Sequence, residues 1–279
     1  MEKQVYKFTN EINEVKISVL AASLTITAHD EDFILAEYDN PSEAPKFSAT
    51  LTENKIIFKE SKLLALLLFK NPLEKYTLNV YLPKKQFKSL EVSTASGGAQ
   101  ISGVRAESFV LNTASGEINV SGDFADVKIK SASGNVKFAN TSDAPAKNLK
   151  ISSASGDIES DCRAESFSVS GVSGKIICNN ACGKGSISMT SGNIDVNYAE
   201  WNDDLSINVV SGKANITLPE GSGAEICFNG VSGSLKTDIG GEKGKFMNIG
   251  KGTNGTFGSG SVHKITANTT SSSITVAEA

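Results

Sequence analysis

TASGEINVSGDF, residues 113–124, places a Ser-Gly pair between two short runs that alternate apolar and polar side chains. Nearly the same words return along the chain, as TASGGAQISGV, SASGNVKFAN, SASGDIESDC, GVSGKIICNN, MTSGNIDVNY, VVSGKANITL and GVSGSLKTDI. The pairs are Ser96-Gly97, Ser115-Gly116, Ser133-Gly134, Ser155-Gly156, Ser173-Gly174, Ser191-Gly192, Ser211-Gly212 and Ser232-Gly233. Successive serines lie 19, 18, 22, 18, 18, 20 and 21 residues apart, and self-similarity at such a period is the mark of a repeat architecture. A ninth copy stands at Ser271, where Ser272 replaces the glycine and Ile274 keeps its place. The gap of 39 residues before it predicts one irregular or skipped rung.

Aligned on the serine, apolar residues fall six and four positions before it, as in Phe109 and Leu111 or Leu149 and Ile151. They fall again three and five positions after it, as in Ile118 and Val120 or Ile194 and Val196. A small or flexible residue sits two before it. This is period-two alternation on both sides of a turn: strand, corner, strand, each burying one face. One repeat holds about five apolar side chains and cannot bury them alone. Stacked copies can, by joining them into a continuous interior. The fold expected is all-β, a single-chain β-solenoid (β-helix) of about nine or more rungs of 18–22 residues. In it the Ser-Gly pair is a structural turn. Glycine permits a positive φ that most residues resist, and the serine hydroxyl can bond a turn amide in its own rung or the next. Repeated serines suggest nucleophiles, but no histidine lies near the eight pairs, so no catalytic residue is assigned.

Residues 1–88 read as an N-terminal β cap with the first coils, and 89–279 as the Ser-Gly repeat, within one continuous domain. VKISVLAASLTITAHDEDFILAEYD resembles a degenerate rung, with Ala22-Ser23-Leu24 standing where Gly-x-Ile would be. A cap is needed because an open solenoid end exposes unpaired strand edges. LLALLLF, residues 63–69, interrupts this region. It reads either as a short element covering the end of the core or as an exposed apolar tip, with Leu66 and Leu67 as a contact surface. In NYAEWNDD, Tyr198 and Trp201 are the candidates for an exposed aromatic contact. NIGKGTNGTFGSGS, before the last rung, lacks the order of a phosphate-binding loop and reads as a plain loop.

The charge is nearly balanced, 27 Lys+Arg against 31 Asp+Glu, which excludes a dedicated nucleic-acid binder. Small basic groups, Lys84-Lys85-Lys88 and Lys243-Lys245, read as solvated surface. Cys162, Cys178, Cys182 and Cys227 show no C-x2-C pair and no partnered histidines. No metal or cofactor is therefore expected. Cys178 and Cys182 could pair, but small apolar fillers suit a reducing compartment better. No apolar run reaches the roughly 18 to 20 residues of a membrane-crossing helix. The start, MEKQVYKFTN, has no apolar segment of a secretory signal, which points to the cytoplasm.

The repeated T-x-S-G-[DEN]-[IV]-x-[VIL], the V-Y-L-P-K segment at Val80–Lys84 and the glycine-rich loop before a last S-x-x-I-T-V rung resemble a bacterial β-strand-repeat family called "putative adhesins". The resemblance covers about residues 15–279 and is strongest over 89–239. It implies a β-helical, non-enzymatic protein of the cell surface or envelope and brings no catalytic residues with it. Two other functions fit the residues. One is an intracellular stress-response scaffold, in keeping with the unpaired cysteines. The other is a carbohydrate-active β-helix enzyme, for which Asp203-Asp204 with Asp195 is the acidic group that looks concentrated. The expected partner is a protein or a glycan, met by outward side chains such as Lys128, Lys130, Lys137, Asn119, Asp195 and Asn197. Self-association is a further expectation of flat faces and open ends.

Overall fold

Alternation at period two leaves each strand one apolar face, and such faces are buried most simply by laying equivalent strands side by side in register. A computed structural model of the chain describes residues 3–39, 47–60, 76–248, 252–259 and 262–279, and every regular element among them is a β-strand. The run 63–69, with Leu66 and Leu67, lies outside the described residues. The chain divides into two compact units, residues 1–143 and 144–279.

The first unit opens with β1 (Lys3–Phe8), β2 (Glu14–Val19), β3 (Ser23–His29) and β4 (Ile34–Asp39). After these come β5 (Phe47–Thr52), β6 (Lys55–Glu60) and β7 (Thr77–Pro83). The repeat follows in β8 (Gln86–Thr94), β9 (Ala99–Thr113), β10 (Ile118–Ser133) and β11 (Val136–Asn140). Parallel pairing puts like on like. Leu90 lies beside Phe109 and Phe109 beside Val127; across the corner Ala99 lies beside Ile118 and Ile118 beside Val136. All of these are buried. Between Ser121 and Gly122 the register slips, because Gly103, at φ 69°, is one extra residue in the neighbouring coil. That bulge accounts for the 19-residue spacing from Ser96 to Ser115.

Spatial order departs from chain order at the start. β2 lies between β6 and β8, and β3 between β7 and β9, all parallel. Ala22-Ser23-Leu24 thus takes the level of Gly97-Gly98-Ala99, with Leu24 beside Ala99. The outer pair β6–β7 is covered by antiparallel strands, β5 on β6 and β4 on β7, and β1 then pairs with β4.

The second unit holds β12 (Ala146–Ser155), β13 (Ile158–Tyr198), β14 (Leu205–Leu218) and β15 (Gly223–Gly230). It ends with β16 (Gly233–Ile239), β17 (Glu242–Asn248), β18 (Thr253–Phe257) and β19 (Val262–Glu278). β13 runs unbroken through the corners at Ser173 and Ser191, and pairs in parallel with β12 and β14. The last strand is again not the outermost. β19 lies between β14 on one side and β15–β16 on the other, with Ile274 between Ala214 and Leu235. Antiparallel β18 and β17 then cover β15 and β16. Of the two expectations for the 39-residue gap, the irregular one holds, and not the skipped rung. The gap contains the two antiparallel strands, and the rung of Ser271 stacks directly on that of Ser211. Part of the glycine-rich stretch read as a loop is strand β18.

One inward column carries a carboxyl group. Glu60 is 1% exposed and ends β6; its Oε2 accepts from Leu20 N at 2.5 Å and from Tyr76 Oη at 3.0 Å. Burial pushes its carboxyl above the usual range, and these bonds only partly oppose the shift. With the folded value above the unfolded one, stability from this group is full below the ordinary carboxylate range. It is lost as pH rises through the folded value. Glu60→Gln retains an oxygen for both donors, so it is expected to raise the melting temperature at pH 8 and leave it unchanged near pH 4. Thermal scans of both proteins across that range check the sign.

Candidate binding surfaces

The Ser-Gly corners stack within each unit. Ser191 and Gly192 lie beside Ser211 and Gly212, which lie beside Ser271 and Ser272; Ser155 lies beside Ser173. Gly116, Gly134, Gly156, Gly174, Gly192 and Gly212 have φ between 117° and 145°, while Gly97 and Gly233 do not enter the positive region. At Gly97 space alone demands glycine, since a Cβ would stand 1.8 Å from Ala22 O. The serine hydroxyls reach the neighbouring rung, but as donors to carbonyls rather than as partners of a turn amide. Ser115 Oγ donates to Ala95 O at 3.3 Å and Ser173 Oγ to Ala154 O at 3.4 Å.

Two residues before the serine a second hydroxyl column points inward, which the sequence shows only as small residues. Thr113 Oγ1 donates to Ser115 O at 2.9 Å and Ser153 Oγ to Ser155 O at 3.1 Å. Thr94 Oγ1 donates to Gly97 O at 3.1 Å. Each of these three hydroxyls thereby pairs with a corner carbonyl, whereas the buried Ser131 hydroxyl of the same column has no such partner. In the Ser271 rung Thr269 and Ser272 bond through their hydroxyls.

Tyr198 and Trp201, expected as an exposed contact, are buried, at 6% and 8% exposure. The return from Tyr198 to Asp204 is two residues longer than its neighbour from Asn180 to Lys184, as the 20-residue register offset requires. The added length lets the indole turn inward. Its Nε1 donates to Gly223 O at 2.8 Å, and the ring packs edge-on to Tyr198 and His263. Burial pushes the Tyr198 hydroxyl well above its usual range.

Each carboxylate of the acidic group has a partner of its own. Asp195 sits 2.8 Å from Lys175 Nζ and accepts from Asn215 Nδ2 at 2.8 Å. Partial burial raises its carboxyl, and these two partners more than reverse that, leaving it below the usual range. Asp204 Oδ1 accepts from Lys264 N at 2.7 Å, and Asp203 Oδ1 from Asp204 N at 2.7 Å. Each carboxylate holds backbone or a neighbouring rung. Asn197 Nδ2 likewise donates to Asn179 Oδ1 at 3.2 Å. Lys128, Lys130 and Lys137 are exposed and Asn119 half-buried on the first unit. In the basic groups, Lys84 pairs with Asp30 at 2.9 Å, Lys88 with Glu14 at 3.0 Å and Lys243 with Asp238 at 3.6 Å.

All four cysteines are free; Cys162, Cys178 and Cys182 are buried. The partner of Cys178 is Cys162, not Cys182: the hydrogen bond its own thiol donates to Cys162, and then burial, push Cys178 well above its usual range. Among the described residues, no three His, Cys, Asp or Glu side chains come together in a way that could hold a metal ion. No described helix is long and apolar enough to cross a membrane.

Parallel coils in register around an apolar interior, with corners fixed by glycine, define a β-solenoid-like fold. The chain belongs to the Toastrack DUF4097 family, whose sequence model matches residues 12–277. Among solved structures it is similar to a protein from Parabacteroides distasonis described as a "putative lipid binding protein". That likeness is 14% identity over 98% of this chain and 96% of that one, with a TM-score of 0.56, and shows the fold alone. A "putative adhesin" from Bacteroides fragilis is 12% identical over 99% and 97% of the two chains, with a TM-score of 0.46. No curated protein matches the chain.

Proposed function

We propose that the chain is a non-catalytic β-solenoid module, for binding or for structure, that serves as an adhesin or another component of the cell envelope. It has about nine or more rungs of 18–22 residues, with residues 1–88 forming the cap and first coils and 89–279 the Ser-Gly repeat. The antiparallel strands on β6–β7 act as the cap, because they cover strand edges that would otherwise recruit other chains. The observation that carries the reading is the use of outward polar side chains. Asp195, Asp203 and Asp204, the best acidic candidates for glycan chemistry, are tied to Lys175, Asn215, Lys264 and their own turn.

Incubation of the full chain with neutral and acidic polysaccharides is expected to release no new reducing ends. Shortened glycan chains would overturn the non-catalytic reading. Fractionation of cells making the native protein is expected to recover it with the envelope. Recovery from the cytosol alone would favour an intracellular scaffold instead.

A further inference from the structure

An open groove of about 520 Å³ lies on the second unit, on the outward face of the strands that lead into the Ser-Gly corners. Its floor is a ladder of three amides, one per rung. Asn229 Nδ2 donates to Asn268 Oδ1 at 3.1 Å, and Asn268 Nδ2 donates to Asn208 Oδ1 at 2.8 Å. Beside the ladder stand Val210, 48% exposed, Thr270, and Val231, 65% exposed. Gly252 closes one side, so near to Asn229 that a Cβ there would stand 2.7 Å from its Oδ1.

We propose that this groove binds a neutral oligosaccharide, an inference that rests on reading the chain as a binding module. A primary amide has two N–H donors and an oxygen with two acceptor sites. The ladder uses one N–H and one acceptor site of Asn268, leaving one of each. Repeated at the strand spacing of about 4.8 Å, the amides offer alternating donors and acceptors to a run of hydroxyl groups, each itself donor and acceptor. The valine methyls supply the apolar surface against which the C–H face of a sugar ring can pack. A few oriented polar groups set in apolar surroundings is the usual make-up of a small-molecule site.

Charge decides the class of sugar. The outward columns one, three and five residues before the corner serines carry a single charged residue in this unit, Lys150, among the described residues. Lys150 belongs to β12, while the groove lies on β14, β19 and β15. Among the described residues of these columns, a uronate, sulfate or phosphate group would find no cation beside the groove to replace its water, and such groups need charge-assisted partners. The opposite side of the corner differs, with Lys175 and Asp195 in its ladder.

Affinity electrophoresis of the full chain in gels holding galactomannan, soluble starch or glycol chitin tests this, with polygalacturonate and hyaluronate as acidic comparisons. The wild type is expected to be retarded by at least one neutral polymer and by neither acidic one. Asn268→Asp and Val231→Glu, both on the surface, should weaken that retardation tenfold or more while thermal melting stays unchanged. Asn197→Asp, on another face, should behave as the wild type. Undiminished retardation of the two groove variants would overturn this site and leave the module reading intact. Retardation by acidic polymers alone, or by none, would overturn the neutral-glycan inference. Scission of the polymer would instead overturn the module reading itself.

Discussion

Gly212→Ala is expected to cost the fold about 4 kcal/mol, a large part of the 5–15 kcal/mol that holds a typical domain. Two separate effects meet at this position. Gly212 has φ 135°, where an L side chain is strained by about 1–3 kcal/mol. An added Cβ would also stand 1.8 Å from Gly192 O, part of the backbone of the adjoining rung. That carbonyl belongs to a parallel ladder and cannot swing away without loosening its own bonds, so overpacking adds about 1–3 kcal/mol more. Gly221→Ala isolates the first effect. Gly221 has φ 78°, but nothing lies within 4 Å of the place its Cβ would take, so a loss of about 1–2 kcal/mol is expected. Chemical denaturation of both variants measures the difference. A Gly212→Ala protein as stable as Gly221→Ala would mean that the rungs have room between corners, against the observed stacking.

The corner residues were legible because a turn that must be made at every level leaves the same letters at every level. Phe109, Leu111, Ile118 and Val120 show their burial by alternation alone, and Ala22 betrays its rung by position even without a glycine. Rung order was not legible. A strand reads the same whether its neighbour is next in the chain or forty residues away, so nothing in Leu24 or Ile274 tells that these rungs are tucked inside others. Strands β17 and β18 were hidden because Gly244 and Gly255 blur their alternation. Trp201 misled because a loop of polar residues suggested exposure, whereas its partners, Gly223 O and the His263 ring, come from other coils. Cys162 and Cys178 lie sixteen residues apart, and only the coil brings their thiols together. The amide ladder of Asn208, Asn268 and Asn229 was out of reach for the same reason as rung order, since its middle member is the last in sequence.

Removal of β19 is expected to unfold the second unit, and the chain carries its own reporter. Ile265, Ile274 and Val276 are fully buried between β14 and β15–β16. At about 1.5–3 kcal/mol for each such side chain, their burial is worth about 5–9 kcal/mol, comparable to the whole stability of a domain. A chain ending at Ser259 would also leave β14, β15 and β16 with unpaired edges, which invite association with other chains. Trp201 is the one tryptophan in the sequence, and its ring packs on His263 and bonds to Gly223 O. Its emission is therefore expected to shift to the red in the shortened chain, together with the onset of aggregation. A synthetic peptide of residues 262–279, added in excess, should reverse the shift by strand addition in parallel register. Unchanged Trp201 emission and a normal melting transition in the shortened chain would show that β15 and β16 can close onto β14 directly. The last rung would then be dispensable, and the tucked order of the strands would have no part in stability.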